Sequence, residues 1–186
     1  MHKNKKQGLQ DLKTVLLFVQ FQLYADVYIQ HKQYNTLRRE GRNVRKLLFA
    51  SHAYLAKGIL SSLELIMGHQ EQVDILCAYT EEPYDLRAEI QRRLDALGEQ
   101  DELIVVTDVF GGSVNNEFMS VIADCGQKVH LVAGLNLSLL MNLCSRMDED
   151  GDTAEIIKAC LEEARCSMQY CNELLTADQA VKDEEF

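Results

Sequence analysis

No tryptophan occurs in this 186-residue chain, and Pro83 is its single proline. Aromatic residues make up only 7%. With so little proline and no low-complexity tract, the chain reads as a folded domain rather than a linker or a disordered segment. Long apolar runs are also missing. The stretch Val15-Leu16-Leu17-Phe18-Val19 is interrupted by Gln20, Gln22 and Asp26, too early and too polar to span a bilayer. The six cysteines (Cys77, Cys125, Cys144, Cys160, Cys166, Cys171) form no C-x-x-C pair, and none has a histidine at zinc-ligand spacing. They read as reduced thiols of a cytosolic protein, and no metal or cofactor is expected.

The body of the chain is short of positive charge. Residues 46–186 hold ten Lys/Arg against twenty-six Asp/Glu, whereas residues 1–45 hold nine against three. The balances of −16 and +6 make up the net charge of −10. An acidic body disfavours nucleic acid, which demands cationic contacts to phosphate, and suits a basic protein partner.

The charge break sets residues 1–45 apart as an N-terminal extension. Lys3, Lys5 and Lys6 precede the apolar stretch, but no small-x-small cleavage site follows. Two readings stay open. One is an amphipathic appendage helix over about 9–30. The other is that the segment lies upstream of the natural start, with purine-rich codons for Arg38-Arg39-Glu40-Gly41 acting as a ribosome-binding site and Val44 as a GTG start.

From residue 46 onwards strands and helices alternate. Strands are predicted at 46–51, 73–79, 102–107 and 128–133. Helices are predicted at about 55–68, 84–97, 113–123, 138–147 and 152–165. The second of these helices carries Leu86, Ile90, Leu94 and Leu97 on one stripe, and Asp152-x-x-Glu155 resembles a capping box at the start of the last. Residues 166–174 either continue that helix or form an edge strand, and the acidic tail 175–186 reads as frayed. This alternation predicts a doubly wound α/β fold with a mainly parallel sheet in the order 2-1-3-4.

Two apolar runs end in polar residues with chemistry. Leu47-Leu48-Phe49-Ala50-Ser51 ends at His52. Leu103-Ile104-Val105-Val106-Thr107 ends at Asp108, followed by Val109-Phe110-Gly111-Gly112-Ser113. In the predicted order the first and third strands flank the point where the chain reverses direction, so His52 and Asp108 share the ligand crevice. An imidazole oriented by a carboxylate makes a nucleophile or a base. Helix N-termini after both strands, one opened by two glycines, favour an anion such as phosphate. The plain alternatives are a structural histidine and an ordinary strand-to-helix turn. His2, His31, His69 and His130 read as structural or solvent-exposed.

Ala50-Ser51-His52-Ala53-Tyr54-Leu55-Ala56-Lys57-Gly58, Thr107-Asp108-Val109-Phe110-Gly111-Gly112-Ser113-Val114-Asn115-Asn116 and Ala133-Gly134-Leu135-Asn136-Leu137-Ser138-Leu139-Leu140 together resemble the enzyme IIA domain of the mannose family of the bacterial sugar phosphotransferase system. The resemblance covers residues 46–174, in order, and none of 1–45. It implies that His52 is the phosphorylated histidine and that Asp108 hydrogen-bonds its ring. It implies phosphate-binding roles for Ser51, Gly111, Gly112 and Ser113. It implies a phosphoryl group taken from the histidine-containing phosphocarrier protein and passed to a separate IIB component, with membrane IIC and IID components engaged only indirectly. A cytoplasmic homodimer is implied, with 166–174 an antiparallel edge strand exchanged between subunits. One departure is Ala53, where the family usually has glycine.

The mechanism expected from that resemblance has Nε2 of His52 as nucleophile and Nδ1 facing Asp108. Three other readings share the fold. A receiver-type signalling domain would take phosphate on Asp108, but the first strand lacks the acidic pair that holds magnesium. A flavin- or nucleotide-binding module is another. The third is the phosphotransfer subunit of dihydroxyacetone kinase.

Overall fold

Apolar runs set the frame. The computed structural model describes residues 44–123, 125 and 128–172. Four strands run through them: β1 (Arg45–His52), β2 (Val73–Ala78), β3 (Glu102–Thr107) and β4 (Lys128–Ala133). Five helices follow the strands: α1 (Leu55–Met67), α2 (Leu86–Asp95), α3 (Ser113–Ala123), α4 (Leu137–Ser145) and α5 (Thr153–Cys166). Every strand pair is parallel and the order is β2-β1-β3-β4, as the alternation predicts.

Side chains alternate across the two central strands and feed two cores. Leu47 and Phe49 of β1, with Ile104 and Val106 of β3, pack with Leu63 of α1, Leu143 of α4 and Cys160 of α5. Leu48 and Ala50, with Leu103 and Val105, pack with Ile90 of α2 and Phe118 of α3. The sheet is therefore covered on both faces, the reason its strands read as continuous apolar runs. A fully buried Leu or Ile contributes roughly 1.5–3 kcal/mol, whereas a surface ion pair contributes about 0–1 kcal/mol. The two cores thus outweigh the exposed Arg and Lys pairs.

Chain reversal positions the site. The chain leaves β1 through α1 on one face to reach β2, then returns through α2 on the other face to β3. Ala50 lies opposite Thr107, and His52 lies opposite Ala78. The C-terminal ends of β1, β2 and β3 therefore converge where the reversal opens a crevice.

Local signals account for most helix starts. Asp85 caps α2 by accepting from Ala88 N–H at 3.0 Å, and Asn136 caps α4 by accepting from Leu139 N–H at 2.9 Å. Asp152 accepts from Glu155 N–H at 3.1 Å, half of the expected capping box. The Glu155 carboxylate instead accepts from Lys158 Nζ at 2.7 Å.

Arg45, read as part of the basic N-terminal segment, belongs to β1. Its guanidinium donates to Thr153 Oγ1 at 2.8 Å and to the carbonyls of Met147, Glu149 and Gly151 at 3.2, 2.5 and 2.7 Å. The loop between α4 and α5 is thereby tied to the start of the first strand.

After α5, residues 168–170 are irregular and a helical turn begins at Cys171. Among the described residues this segment does not pair with its own chain's sheet. The expected helix over 9–30, His2, His31, and the tail from 175 lie outside the described residues, as do Asp124 and Gly126 of the expected break after α3.

Candidate active site

The end of β1 delivers His52 to the rim and the end of β3 delivers Asp108. Oδ2 of Asp108 accepts from the backbone N–H of His52 at 2.8 Å, and Nδ1 of the His52 ring lies 2.7 Å from the same oxygen. Oδ1 accepts from Val109 N–H at 2.9 Å. Burial pushes the Asp108 carboxyl up, but the hydrogen bonds and charge from His52, with the Val109 N–H, outweigh it. The group sits below the usual aspartate value. An ionised carboxylate on Nδ1 favours the tautomer with its proton there, leaving the Nε2 lone pair free to act.

Nε2 faces the other loop. It lies 2.9 Å from Ser113 Oγ, at the head of α3. The imidazole is part exposed, with side-chain accessibility of 41%, against 10% for Asp108. The imidazole is thus open at the rim while the carboxylate on its Nδ1 is sheltered.

The two glycines before Ser113 work through shape. Gly111 has φ +76°, a left-handed turn that glycine adopts without the Cβ penalty. A Cβ at Gly112 would stand 2.7 Å from Val109 Cγ1 and 3.2 Å from His52 Cε1, so only glycine lets the imidazole come this close. Their own N–H groups bond inside the loop, Gly111 to Asn115 Oδ1 at 3.2 Å and Gly112 to Val109 O at 3.3 Å. Both glycines thus shape the loop that carries Ser113 to the imidazole. A helix leaves its first-turn amides outside its own ladder, and α3 begins at Ser113.

Ser51 lies inside the end of β1. Its side chain is fully buried, and Oγ accepts from Ala56 N–H at 2.7 Å. It takes the place of a cap that Tyr54 does not supply to α1. The departure at Ala53 has a visible consequence, since Ala53 adopts φ +46°, a left-handed conformation that favours glycine. Its N–H donates to Ala78 O at 2.9 Å, which holds the turn against the end of β2.

Sequence motifs gave no role to Asn115, Asn116, Thr107 or Tyr79. Asn115 is buried; its Nδ2 donates to Thr107 Oγ1 at 3.1 Å, and Thr107 donates to Val132 O at 3.3 Å. Asn116 Nδ2 donates to Gly111 O at 2.9 Å. Tyr79 donates from its hydroxyl to Ser113 Oγ at 3.1 Å. The run of two asparagines after Gly-Gly-Ser was the only signal available for the loop clamp.

Residues 46–161 match the family model described as the fructose IIA component of the phosphotransferase system. The chain belongs to this enzyme IIA family. The fructose-specific EIIA component of Bacillus subtilis (strain 168) is 29% identical over 106 residues, covering 54% of this chain and 70% of that protein. A Klebsiella pneumoniae protein assigned to a phosphoenolpyruvate-dependent sugar phosphotransferase permease is 42% identical. The match has a TM-score of 0.67 and covers 73% of this chain and 96% of that one. The EIIA component of Streptococcus agalactiae is 27% identical with a TM-score of 0.60, covering 69% and 98%. This enzyme IIA chain is a component of a sugar phosphotransferase system, whose IIA components act as phosphoryl carriers. Among the described residues of this enzyme IIA, no helix is long and apolar enough to cross a membrane. Both Asp108 oxygens accept from N–H groups, Oδ2 from His52 and Oδ1 from Val109.

Proposed function

We propose that this enzyme IIA carries a phosphoryl group on Nε2 of His52, accepting it from the histidine-containing phosphocarrier protein and passing it to a separate IIB component. The observation that carries the reading is the division of the imidazole. Nδ1 is bound to Asp108, and Nε2 faces Ser113 at an open rim.

The Nε2 lone pair forms a bond to the donor's phosphorus while the donor's own N–P bond breaks. That electron pair returns to the donor's ring nitrogen. The proton on Nδ1 stays in place, and Asp108 offsets the positive charge that the ring gains. Passing the group to IIB reverses these steps at His52. Ser113 and the head of α3 meet the phosphoryl oxygens.

The chain works in the cytoplasm in this reading, as a homodimer that exchanges 166–174 as an edge strand. Membrane IIC and IID components meet it only through IIB, and nucleic acid plays no part. Phosphoenolpyruvate, enzyme I and the phosphocarrier, incubated with the full chain, are expected to add one phosphoryl group by intact mass. His52→Ala takes none. The adduct is expected to be labile in acid and stable in base, the behaviour of phosphohistidine rather than phosphoaspartate. An acid-stable adduct, or phosphate retained by His52→Ala, overturns the proposal.

A further inference from the structure

A third residue closes on the site from β2, and neither the motifs nor the family match gives it a task. Tyr79 follows the last residue of β2 with φ +61°. A bulky side chain in that conformation costs on the order of 1–3 kcal/mol and persists only where its surroundings hold it. Three contacts hold it here. Its ring lies 5.8 Å from the His52 ring and 5.6 Å from the Tyr84 ring. Its hydroxyl donates to Ser113 Oγ at 3.1 Å, and that oxygen lies 2.9 Å from His52 Nε2.

Proton counting gives the contact a direction. A serine hydroxyl has one proton to donate. If Nδ1 carries the imidazole proton towards Asp108, Nε2 can only accept, so Ser113 donates to it. Ser113 Oγ is then left to accept, and Tyr79 O–H is the donor that meets it. The result is a chain from Tyr79 through Ser113 to Nε2.

We propose that Tyr79 is a positioning residue for phosphoryl transfer: its hydroxyl orients the single proton of Ser113 towards Nε2, where the phosphoryl group arrives. When phosphorus takes the Nε2 lone pair, the Ser113 proton leaves that lone pair for a phosphoryl oxygen beside it, while the Tyr79 hydroxyl keeps its hold on the Ser113 oxygen. A donor whose oxygen is already in place reorganises little as charge builds up, the condition under which a donor accelerates a reaction most. The left-handed turn at Tyr79 is the local cost of bringing the phenol to Ser113. The inference rests on the proposed role of His52.

The test compares the full-length wild type, Tyr79→Phe, Ser113→Ala and the double variant, with phosphocarrier as donor. Phenylalanine keeps the ring against His52 and Tyr84 and removes only the hydroxyl, and a thermal melt matching wild type checks the fold. Tyr79→Phe is expected to lower kcat about tenfold, with KM for the phosphocarrier within about twofold. The double variant is expected to be no slower than Ser113→Ala alone, since the tyrosine acts through the serine. The imidazole 15N signal of His52 Nε2 is expected to move in Tyr79→Phe while that of Nδ1 stays. An unchanged kcat, a change in KM alone, or losses that multiply in the double variant would each overturn the relay. His52→Ala separates the two levels. If it takes no phosphate while Tyr79→Phe behaves as wild type, only the relay fails; if it is phosphorylated, the carrier reading fails as well.

Discussion

Asp108 grips His52 twice with one atom: Oδ2 accepts the backbone N–H of His52 at 2.8 Å and lies 2.7 Å from its ring Nδ1. The same contact fixes where β1 ends and which way the imidazole presents itself. Asp108→Asn is therefore expected to slow phosphorylation by the phosphocarrier by at least about 10²-fold, since the amide loses the charge that offsets the imidazolium and can present a donor to Nδ1. Initial rates at saturating phosphocarrier measure it; a rate within a few-fold of wild type argues that the carboxylate has no part in the chemistry.

The depressed carboxyl of Asp108 also makes a stability prediction. Its folded value lies below the unfolded one of about 3.9, so its contribution is fully present above that value. The contribution is lost as pH falls from about 4 through the lower folded value. Urea midpoints from about pH 6 downwards are expected to fall less steeply in Asp108→Asn than in wild type over that window. Parallel acid limbs would show that the bond carries no net stability.

Two positions beside His52 are tuned in opposite senses. Gly112→Ala forces a Cβ to within 2.7 Å of Val109 Cγ1 and 3.2 Å of His52 Cε1. It is expected to cost about 1–3 kcal/mol of stability and to slow phosphorylation by displacing the ring. Ala53→Gly relieves the φ of +46°. The roughly 1–2 kcal/mol saved is partly offset by about 0.4–1 kcal/mol of added chain entropy, which leaves a net gain of about 0.5 kcal/mol. Denaturant midpoints on both variants check the signs.

Cysteine accessibility reports on the proposed strand exchange. Cys166 and Cys171 are exposed, whereas Cys144 and Cys160 are buried and burial pushes the Cys144 thiol up to about 12. A thiol reagent is expected to label Cys171 quickly in dilute protein and slowly at concentrations where a dimer forms. Mass spectrometry of the labelled peptides follows it. Equal rates at both concentrations would speak against an exchanged strand over 166–174.

The sheet and its order were legible because a strand buried on both faces must be apolar throughout, as 47–50 and 103–106 are. The meeting of His52 and Asp108 followed from the order alone. Ser51, Tyr79 and Arg45 were not legible, and for one reason. Their tasks depend on where a side chain turns at the end of an element and what it finds far along the chain, as Arg45 finds Thr153. Asn115 was hidden for a related cause: a buried polar side chain announces itself only when its partners, here Thr107 and Gly111, are in place.

Gly111 is fastened at both ends by the first turn of α3, its N–H by Asn115 and its carbonyl by Asn116. The loop beneath the imidazole therefore has no independent melting: fraying of that turn releases the loop, and ordering it restores both. Amide exchange at Gly111 should keep pace with exchange in the opening turn of the helix, so that loosening this turn frees the loop beside the imidazole without touching the ring itself.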